Sequence, residues 1–170
     1  TENQAVEKEL WSSLAEKQGW PDVAIDARIA QQLLNRDAGR KQLNAYNHTV
    51  SYFKKQHNYE FGEGKCPKLT QEVEELLLFV GATSALQGLN NDVSSGRLVN
   101  VDMGIPPKVV KAMDCLDNNK WWGFPQSIRA ALTIILPESP AIEAEAWKAL
   151  QQNSALGVQQ GMRVGYANHA

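Results

Sequence analysis

An all-α fold is predicted from the spacing of apolar residues along this 170-residue chain. Apolar side chains recur every three or four residues in most segments, which is the period of an amphipathic helix. No run of four or more residues alternates apolar and polar with β-branched enrichment, so no strand is predicted. Prolines, glycines and capping residues divide the pattern into seven or eight helices. At this length one domain, residues 1–170, is expected to bury a full core.

The central element of the predicted bundle is a helix over residues 70–95. Leu76 to Ala82 is an unbroken apolar run, and a helix that is apolar on nearly every side is normally buried on nearly every side. Thr70 is placed to cap its start, and three glutamates follow in the first turns, where the helix dipole favours negative charge. We therefore expect the other helices to form an irregular bundle, or an array of helical hairpins, around this segment.

The N-terminal third of the chain is predicted to form three helices. The first covers residues 1–19 and the second about 23–36. Asp37 or Gly39 is expected to break or kink the chain before a third helix at about 40–57. Each helix carries an apolar stripe of the kind that usually faces a core. The stripes comprise Val6, Leu10, Trp11 and Leu14 in the first, Ile25, Ile29, Leu33 and Leu34 in the second, and Leu43, Tyr46, Val50 and Phe53 in the third.

The second half of the chain is predicted to contain shorter helices that open at prolines or capped serines. Prolines open one helix at 106–107 and another over residues 126–136, and Ser139 caps a third. A last helix either starts at Ser154 and runs nearly to the final residue or continues the helix before it.

The two cysteines favour an exported protein, periplasmic or secreted. The chain begins at Thr1 without a charged-then-apolar leader, so either a signal peptide has been removed or the chain was trimmed. Cys66 precedes the central helix and Cys115 ends a later one. A disulfide between them would close both ends of one substructure, and loop entropy alone would contribute about 4 kcal/mol. The alternative is a pair of buried thiols in a cytoplasmic protein.

No motif predicts catalysis, and the chain is more simply interpreted as a non-enzyme without a cofactor. Gly64-Lys65, in a predicted loop at 59–68, suggests a phosphate loop, but Tyr59 stands where its first glycine belongs and Cys66 replaces its Ser or Thr. The three histidines form no ligand pair, and no Ser-His-Asp or Cys-His signature is present. An enzyme with a dispersed active site is the alternative.

The partner class is bounded by charge and hydropathy. A net charge of −2, with no strongly basic stretch, argues against nucleic acid as a partner. The longest apolar run is also far below the roughly 18 residues of a membrane span.

The densest aromatic patch, Trp121, Trp122 and Phe124, lies at a predicted helix junction. One interpretation is a buried corner between helix ends. The other is an exposed surface that binds a protein partner or a small apolar ligand, since Trp is enriched at binding hot spots. Because two adjacent tryptophans cannot both point inward, we predict that at least one is partly exposed, and we take all three residues as candidate binding residues.

Three glycines four residues apart, Gly157, Gly161 and Gly165, are predicted to share one face of the last helix. Glycine in a helix interior costs roughly 0.8–1 kcal/mol relative to alanine, so a close backbone contact is expected to offset it. One candidate contact is the small-residue strip of the central helix, which comprises Gly81, Ser84, Ala85 and Gly88. The alternative is a second copy of the chain, which would make the protein a homo-oligomer.

Two segments resemble known families. Leu78 to Pro137 has a Gly-containing apolar helix, an Ile-Pro-Pro opening and a helix closing in Leu-Pro, an order that resembles small periplasmic immunity proteins of type VI secretion systems. Those proteins are disulfide-rich, whereas this chain has two cysteines. The resemblance implies an inhibitor that plugs a partner's active site. Met113 to Gly123 resembles the end of a tetratricopeptide repeat, without the recurrence that such repeats require.

Neither resemblance assigns a role to a residue. The leading functional prediction is a non-enzymatic binding or scaffold protein of the bacterial cell envelope. An immunity protein and an enzyme with a dispersed active site are the alternatives.

Overall fold

The computed structural model describes residues 1–135 and 139–162, and within them the chain forms six helices and no strand. The helices are α1 (Glu2–Lys17), α2 (Pro21–His57), α3 (Glu72–Ser94), α4 (Ile105–Met113), α5 (Phe124–Ile135) and α6 (Pro140–Gln159). The all-α prediction is confirmed. The predicted number of seven or eight was too high because two breaks that the sequence allowed do not occur, one predicted at Asp37 or Gly39 and one left open at Ser154.

The first missing break lies at Gly39, where α2 continues for 37 residues without interruption. A β-carbon built on Gly39 would lie 3.3 Å from the carbonyl oxygen of Gly88 on α3 and 3.2 Å from the side chain of Val99. Glycine is therefore kept here because another backbone comes close, and that packing offsets its weak helix propensity. The predicted break at Asp37 or Gly39 is wrong for this reason. The second missing break is at Ser154, where the sequence left a new helix or a continuation open; α6 runs through this residue, so the continuation is found.

The central helix, α3, begins and ends within two residues of its predicted limits. The Glu74 carboxylate accepts hydrogen bonds from the backbone N–H of Thr70 at 3.0 Å and from His57 Nε2 at 2.9 Å. These contacts fix the start of the helix, as a capping carboxylate does. One side of α3 is exposed and carries Val73, Leu76 and Val80, so the expectation of burial on nearly every side is wrong for that side.

The chain divides into two compact units, and the division falls inside α2, inside α3 and after the first residue of α4. Unit 1 comprises residues 1–49 and 83–105, and unit 2 comprises residues 50–82 and 106–170. A single domain over the whole chain stays a prediction.

Unit 2 has a core of large side chains closed by a disulfide. Cys66 and Cys115 are bonded, with their Cα atoms 5.4 Å apart, which is the first of the two alternatives that the sequence left open. Large apolar groups lie on the inside and include Phe53, Tyr59, Phe61, Leu78, Val109, Met113, Leu116 and Leu150. Burial of each such side chain stabilises the fold by about 1.5–3 kcal/mol.

Unit 1 contains a polar anchor in place of a large apolar core. Asp92 is fully buried, and its carboxylate accepts from the backbone N–H groups of Val99, Asn100 and Val101 at 2.8–3.0 Å. The Arg97 guanidinium lies 3.0 Å from the same carboxylate. Burial opposes its charged form, but these donors and Arg97 outweigh burial and lower the pKa of Asp92. The loop after α3 is thereby held in place by one side chain.

The glycine face predicted for the last helix is not formed. α6 ends at Gln159, so Gly161 lies beyond the helix, with a φ of +80°. A β-carbon built on Gly161 would have no atom within 4 Å. Gly165 lies outside the described residues. Gly157 does sit at a close backbone contact, but its neighbours are the carbonyl oxygens of Trp122 and Met162, each 2.9 Å from where a β-carbon would lie. The small-residue strip of α3 is used differently, since Gly88 meets Gly39 and Leu43 of α2.

Among the described helices, none combines the length and the hydropathy that crossing a membrane requires.

Candidate protein-binding surface

Two of the three predicted binding residues lie in the core of unit 2. Trp121 is only 6% exposed; its ring stacks on Phe79 at 4.9 Å, and its Nε1 donates to Glu75 Oε2 at 3.0 Å. Phe124 is also buried and packs against the same phenylalanine. Their surroundings are those of a corner between helix ends, which was the first of the two interpretations. A surface role for Trp121 or Phe124 would require this corner to open.

Trp122 is the partly exposed member of the aromatic patch. Its φ of +55° is unusual for a bulky residue. Contacts with α6 hold the loop before α5 in this conformation. Asn118 Nδ2 donates to Asn153 Oδ1 at 2.8 Å, and Gly123 lies so close to the Asn153 carbonyl oxygen that a β-carbon would clash with it. The unequal exposure of the two tryptophans agrees with the prediction that they cannot both point inward. A binding role for Trp122 stays a prediction.

A larger exposed apolar surface lies in unit 1, on the hairpin formed by α1 and the first part of α2. We define the hairpin as residues 2–33. Its inner seam is built from small residues: between positions 10 and 30 the only buried residues are Ser12, Ala15, Ala24 and Ala27. The Ser12 hydroxyl donates to the Ala24 carbonyl oxygen at 3.0 Å, and the Arg28–Glu16 ion pair closes the edge of the seam.

The large apolar side chains of the hairpin point outward. Leu10 is 67% exposed and Trp11 48%. Other large apolar residues of the hairpin are exposed to a similar degree: Val6, Leu14, Trp20, Val23, Ile25, Ile29 and Leu33. The predicted inward orientation of the first two apolar stripes is therefore wrong, except at Leu34, which is half-buried. The small residues occupy the seam and let the two helices approach closely, which turns the large residues toward solvent.

Helical geometry sorts the exposed residues into two stripes. Val6, Leu10 and Leu14 follow one another at intervals of four on α1, and Ile25, Ile29 and Leu33 do so on α2. At 3.6 residues per turn each stripe lies roughly opposite the small residues of its own helix. The hairpin therefore presents an apolar edge on each side rather than a single flat patch.

The hairpin is also acidic. Residues 2–33 contain six acidic and three basic side chains, a formal charge of −3, whereas the whole chain carries −2. The remaining residues are therefore close to neutral in sum, and the negative charge is concentrated beside the exposed apolar stripes. Such a surface repels anionic surfaces and attracts basic ones.

A cleft of about 420 Å³ lies in unit 2 beside the disulfide and includes His57, Lys65 and Pro67 in its lining. The nearby Glu74 carboxylate could serve as a base only if it were free. It is instead occupied by Thr70, Gln71 and His57, and the Thr70 N–H, with His57 and Gln71, lowers the pKa of Glu74 although burial opposes this. These contacts are those of a helix cap, so the geometry does not favour catalysis here.

The spacing of apolar residues does not predict the hairpin surface, because spacing says nothing about what the other face of each helix carries. The signal that identifies the surface is the set of small residues opposite each stripe: Ala5, Ser12 and Ala15 on α1, with Ala24 and Ala27 on α2. Two helices that each offer a small face can bury it against one another and leave the large face outside.

No protein-family profile, curated protein or solved structure matches the chain. Within residues 1–135 and 139–162, no three His, Cys, Asp or Glu side chains are grouped so as to hold a metal ion.

Proposed function

We propose that this chain is a non-enzymatic binding protein that docks onto a protein partner through the α1–α2 hairpin. The observation that carries the proposal is the inverted placement of side chains in the hairpin, with alanine and serine inside and leucine, isoleucine and tryptophan outside. Nine large apolar side chains that are each about half exposed amount to an area on the order of the 800 Å² per partner of a standard interface.

The partner is a protein whose groove encloses the hairpin and is bordered by Lys and Arg residues. Enclosure follows from the two stripes, because a flat surface reaches only one edge of the hairpin at a time. A basic border follows from the charge of −3 on residues 2–33. The same charge disfavours a second copy of this chain and an anionic lipid surface, both of which would place negative charge against negative charge.

The proposed compartment is the bacterial cell envelope. The Cys66–Cys115 disulfide supports it, since disulfides form and persist in oxidising environments such as the periplasm. In the immunity-protein alternative the chain is an inhibitor, and the groove that receives the hairpin is the active site of the partner. Both versions share the same docking element.

Site-specific photocrosslinking in the native host tests the docking surface. A photoreactive residue is placed at Leu10, at Ile29 or, as a control, at exposed Gln152 of α6. We expect one discrete protein to be crosslinked from both hairpin positions and not from the control. The recombinant partner is then titrated with the wild-type chain, with a Leu10→Glu/Ile29→Glu variant and with Gln152→Glu. We expect at least about tenfold weaker binding by the hairpin variant, as for loss of hot-spot contacts.

Two outcomes would overturn this proposal. Crosslinking of the chain to itself, with a dimer in light scattering that Leu10→Glu/Ile29→Glu dissociates, would identify a second copy as the occupant. Binding of the purified chain to phosphatidylglycerol vesicles, lost in the same variant, would identify a lipid surface.

A further inference from the structure

A polar cleft of about 260 Å³ opens in unit 1 where α1, α2 and α3 meet. It is smaller than the roughly 300–1,000 Å³ of a drug-sized ligand site and suits a single side chain. The lining contains carboxylates, amides and one hydroxyl and no basic side chain; it comprises Glu2, Ala5, Val6, Glu9, Gln31, Asn35, Asn90, Asn91 and Ser94. Groups bound there meet hydrogen-bond acceptors, the donors of the amides and the hydroxyl, and the negative charge of two carboxylates.

Asn35 is the buried residue of this lining whose hydrogen-bonding needs are unmet. It is only 6% exposed, and among the described residues no hydrogen bond to its side-chain amide is formed. A buried amide left without partners costs about 1–3 kcal/mol, and buried polar groups are nearly always paired. The cleft therefore contains an amide that gains a partner when something polar enters.

The opposite wall of the cleft is fixed in advance. Asn91 Nδ2 donates to Glu2 Oε1 at 2.8 Å and to Gln42 Oε1 at 2.8 Å. Gln42 Nε2 also donates to Glu2 Oε1, at 2.7 Å. The two bonds to Glu2 fall on the same carboxylate oxygen, so the network holds that carboxylate at the cleft without consuming its second oxygen. A positioned carboxylate binds a cation with less loss of side-chain entropy than a free one.

We propose that this cleft binds the ammonium or guanidinium group of a Lys or Arg side chain that the hairpin's partner presents. An organic cation brings several N–H donors to the amide and carboxylate oxygens, and a guanidinium brings five in a fixed plane. The described residues contain no cluster of the kind that holds a metal ion. Val6 lines the cleft and also begins the apolar stripe of α1, so a basic residue at the border of a groove seated on that stripe reaches the cleft.

The binding of a cation by the cleft is independent of the docking proposal, whereas its assignment to a partner's side chain rests on it. An ordered water molecule is the competing occupant, since water also satisfies buried amides. The experiment must therefore separate a cation from water and from a general salt effect.

The test is a titration of the full-length ¹⁵N-labelled chain with blocked lysine, blocked arginine and blocked norleucine, each as the N-acetyl methylamide, at constant ionic strength. We expect saturable shifts of the side-chain NH₂ signals of Asn35 and Asn91 with the first two and not with the neutral third. Glu9→Gln is expected to weaken binding about fivefold, and Asn35→Leu about tenfold. Glu7→Gln makes the same charge change on α1 outside the cleft and is expected to leave the affinity unchanged.

Three results would overturn the inference. The absence of saturable shifts means that water alone fills the cleft, and equal shifts with norleucine mean that charge is not recognised. Equal weakening by Glu7→Gln and Glu9→Gln means that only the overall field acts. Failure of the docking proposal is distinguished by Leu10→Glu/Ile29→Glu, which is expected to weaken binding of the recombinant partner at least about tenfold and to retain the saturable shifts of Asn35 and Asn91 in this titration. Saturable binding of the blocked amino acids without any partner at the hairpin would overturn the assignment to a partner's side chain.

Discussion

The α1–α2 hairpin of unit 1 and the disulfide-closed core of unit 2 use the same kinds of residue in opposite ways. In unit 2 large side chains such as Phe53 and Leu78 are fully buried, whereas in the hairpin Leu10 and Trp11 face solvent and alanines fill the seam. Burial of a large apolar side chain stabilises a fold by about 1.5–3 kcal/mol, and burial of an alanine methyl group contributes far less. The large residues of the hairpin therefore contribute little to folding, and their apolar area is available for binding.

The largest expected effect comes from a matched pair of tryptophans. Trp121→Ala removes a ring that stacks on Phe79 and donates to Glu75, and we expect it to lower the free energy of unfolding by about 3–5 kcal/mol. Trp11→Ala removes a ring of the hairpin surface and is expected to change it by less than about 0.5 kcal/mol. Urea unfolding of the two variants measures both values.

Equal destabilisation by the two tryptophan substitutions would contradict the comparison, because it would mean that the hairpin ring is buried in solution. A large loss of partner binding by Trp11→Ala, with stability retained, would sharpen the comparison by separating the folding role of one unit from the binding role of the other.

Removal of the disulfide is expected to have the next largest effect. Cys66 and Cys115 are 49 positions apart, and the loop that they close restricts the unfolded chain. A Cys66→Ser/Cys115→Ser variant is expected to lose about 2–4 kcal/mol of stability. Denaturant unfolding with and without a reducing agent measures this, and the double variant is the control because it has no bond to reduce. A wild-type protein that shows free thiols, or equal stability in both conditions, would contradict the assignment of a structural bridge.

Sequence reasoning was accurate where the structural role of a residue is set by its own type and its neighbours in sequence. Prolines at helix starts, the Ser139 cap and the polar loop before α3 all lie where they were predicted, since each follows from local geometry. The Cys66–Cys115 bond is one of the two alternatives that the pair of cysteines allowed. The all-α class follows from the same local signals.

Sequence reasoning failed where an outcome depends on what lies on the other side of a contact. The weak helix propensity of glycine predicts a break at Gly39, but glycine is tolerated there because Gly88 of α3 meets it. The helical spacing of Leu10 and Ile29 predicts core positions, but their exposure follows from the alanine seam between α1 and α2. Neither neighbour is adjacent in sequence, so periodicity alone does not predict it.

The smallest of the three effects concerns how unit 1 is held together without a large apolar core. The Asp92 carboxylate faces only donors, namely the backbone N–H groups of the loop after α3 and the Arg97 guanidinium. Asp92→Asn keeps the shape of the side chain but places an NH₂ group, itself a donor, among them. We expect a loss of about 2 kcal/mol, typical of a buried hydrogen-bonded group left with a mismatched partner. Asp102→Asn is the matched control, since Asp102 lies in the same loop and is exposed.

The pH dependence of this contribution has a definite sign. Burial opposes the charged form of Asp92, but the N–H donors and Arg97 outweigh burial, so the pKa of Asp92 in the folded protein lies below its ordinary value of 3.8. The unfolded chain therefore takes up the proton first as the pH falls. The stability that the carboxylate contributes is complete above its ordinary pKa and is lost as the pH falls through its folded pKa.

The difference in unfolding free energy between the wild-type chain and Asp92→Asn is thus expected to be constant from pH 7 to about pH 5 and to shrink below about pH 4. Urea unfolding at several pH values measures it, with Asp102→Asn expected to follow the wild-type curve. A difference that persists unchanged at pH 3 would show that the shape of the side chain, rather than its charge, orders the loop. Unit 1 would then depend on packing as unit 2 does, and the contrast between the two units would be confined to the hairpin.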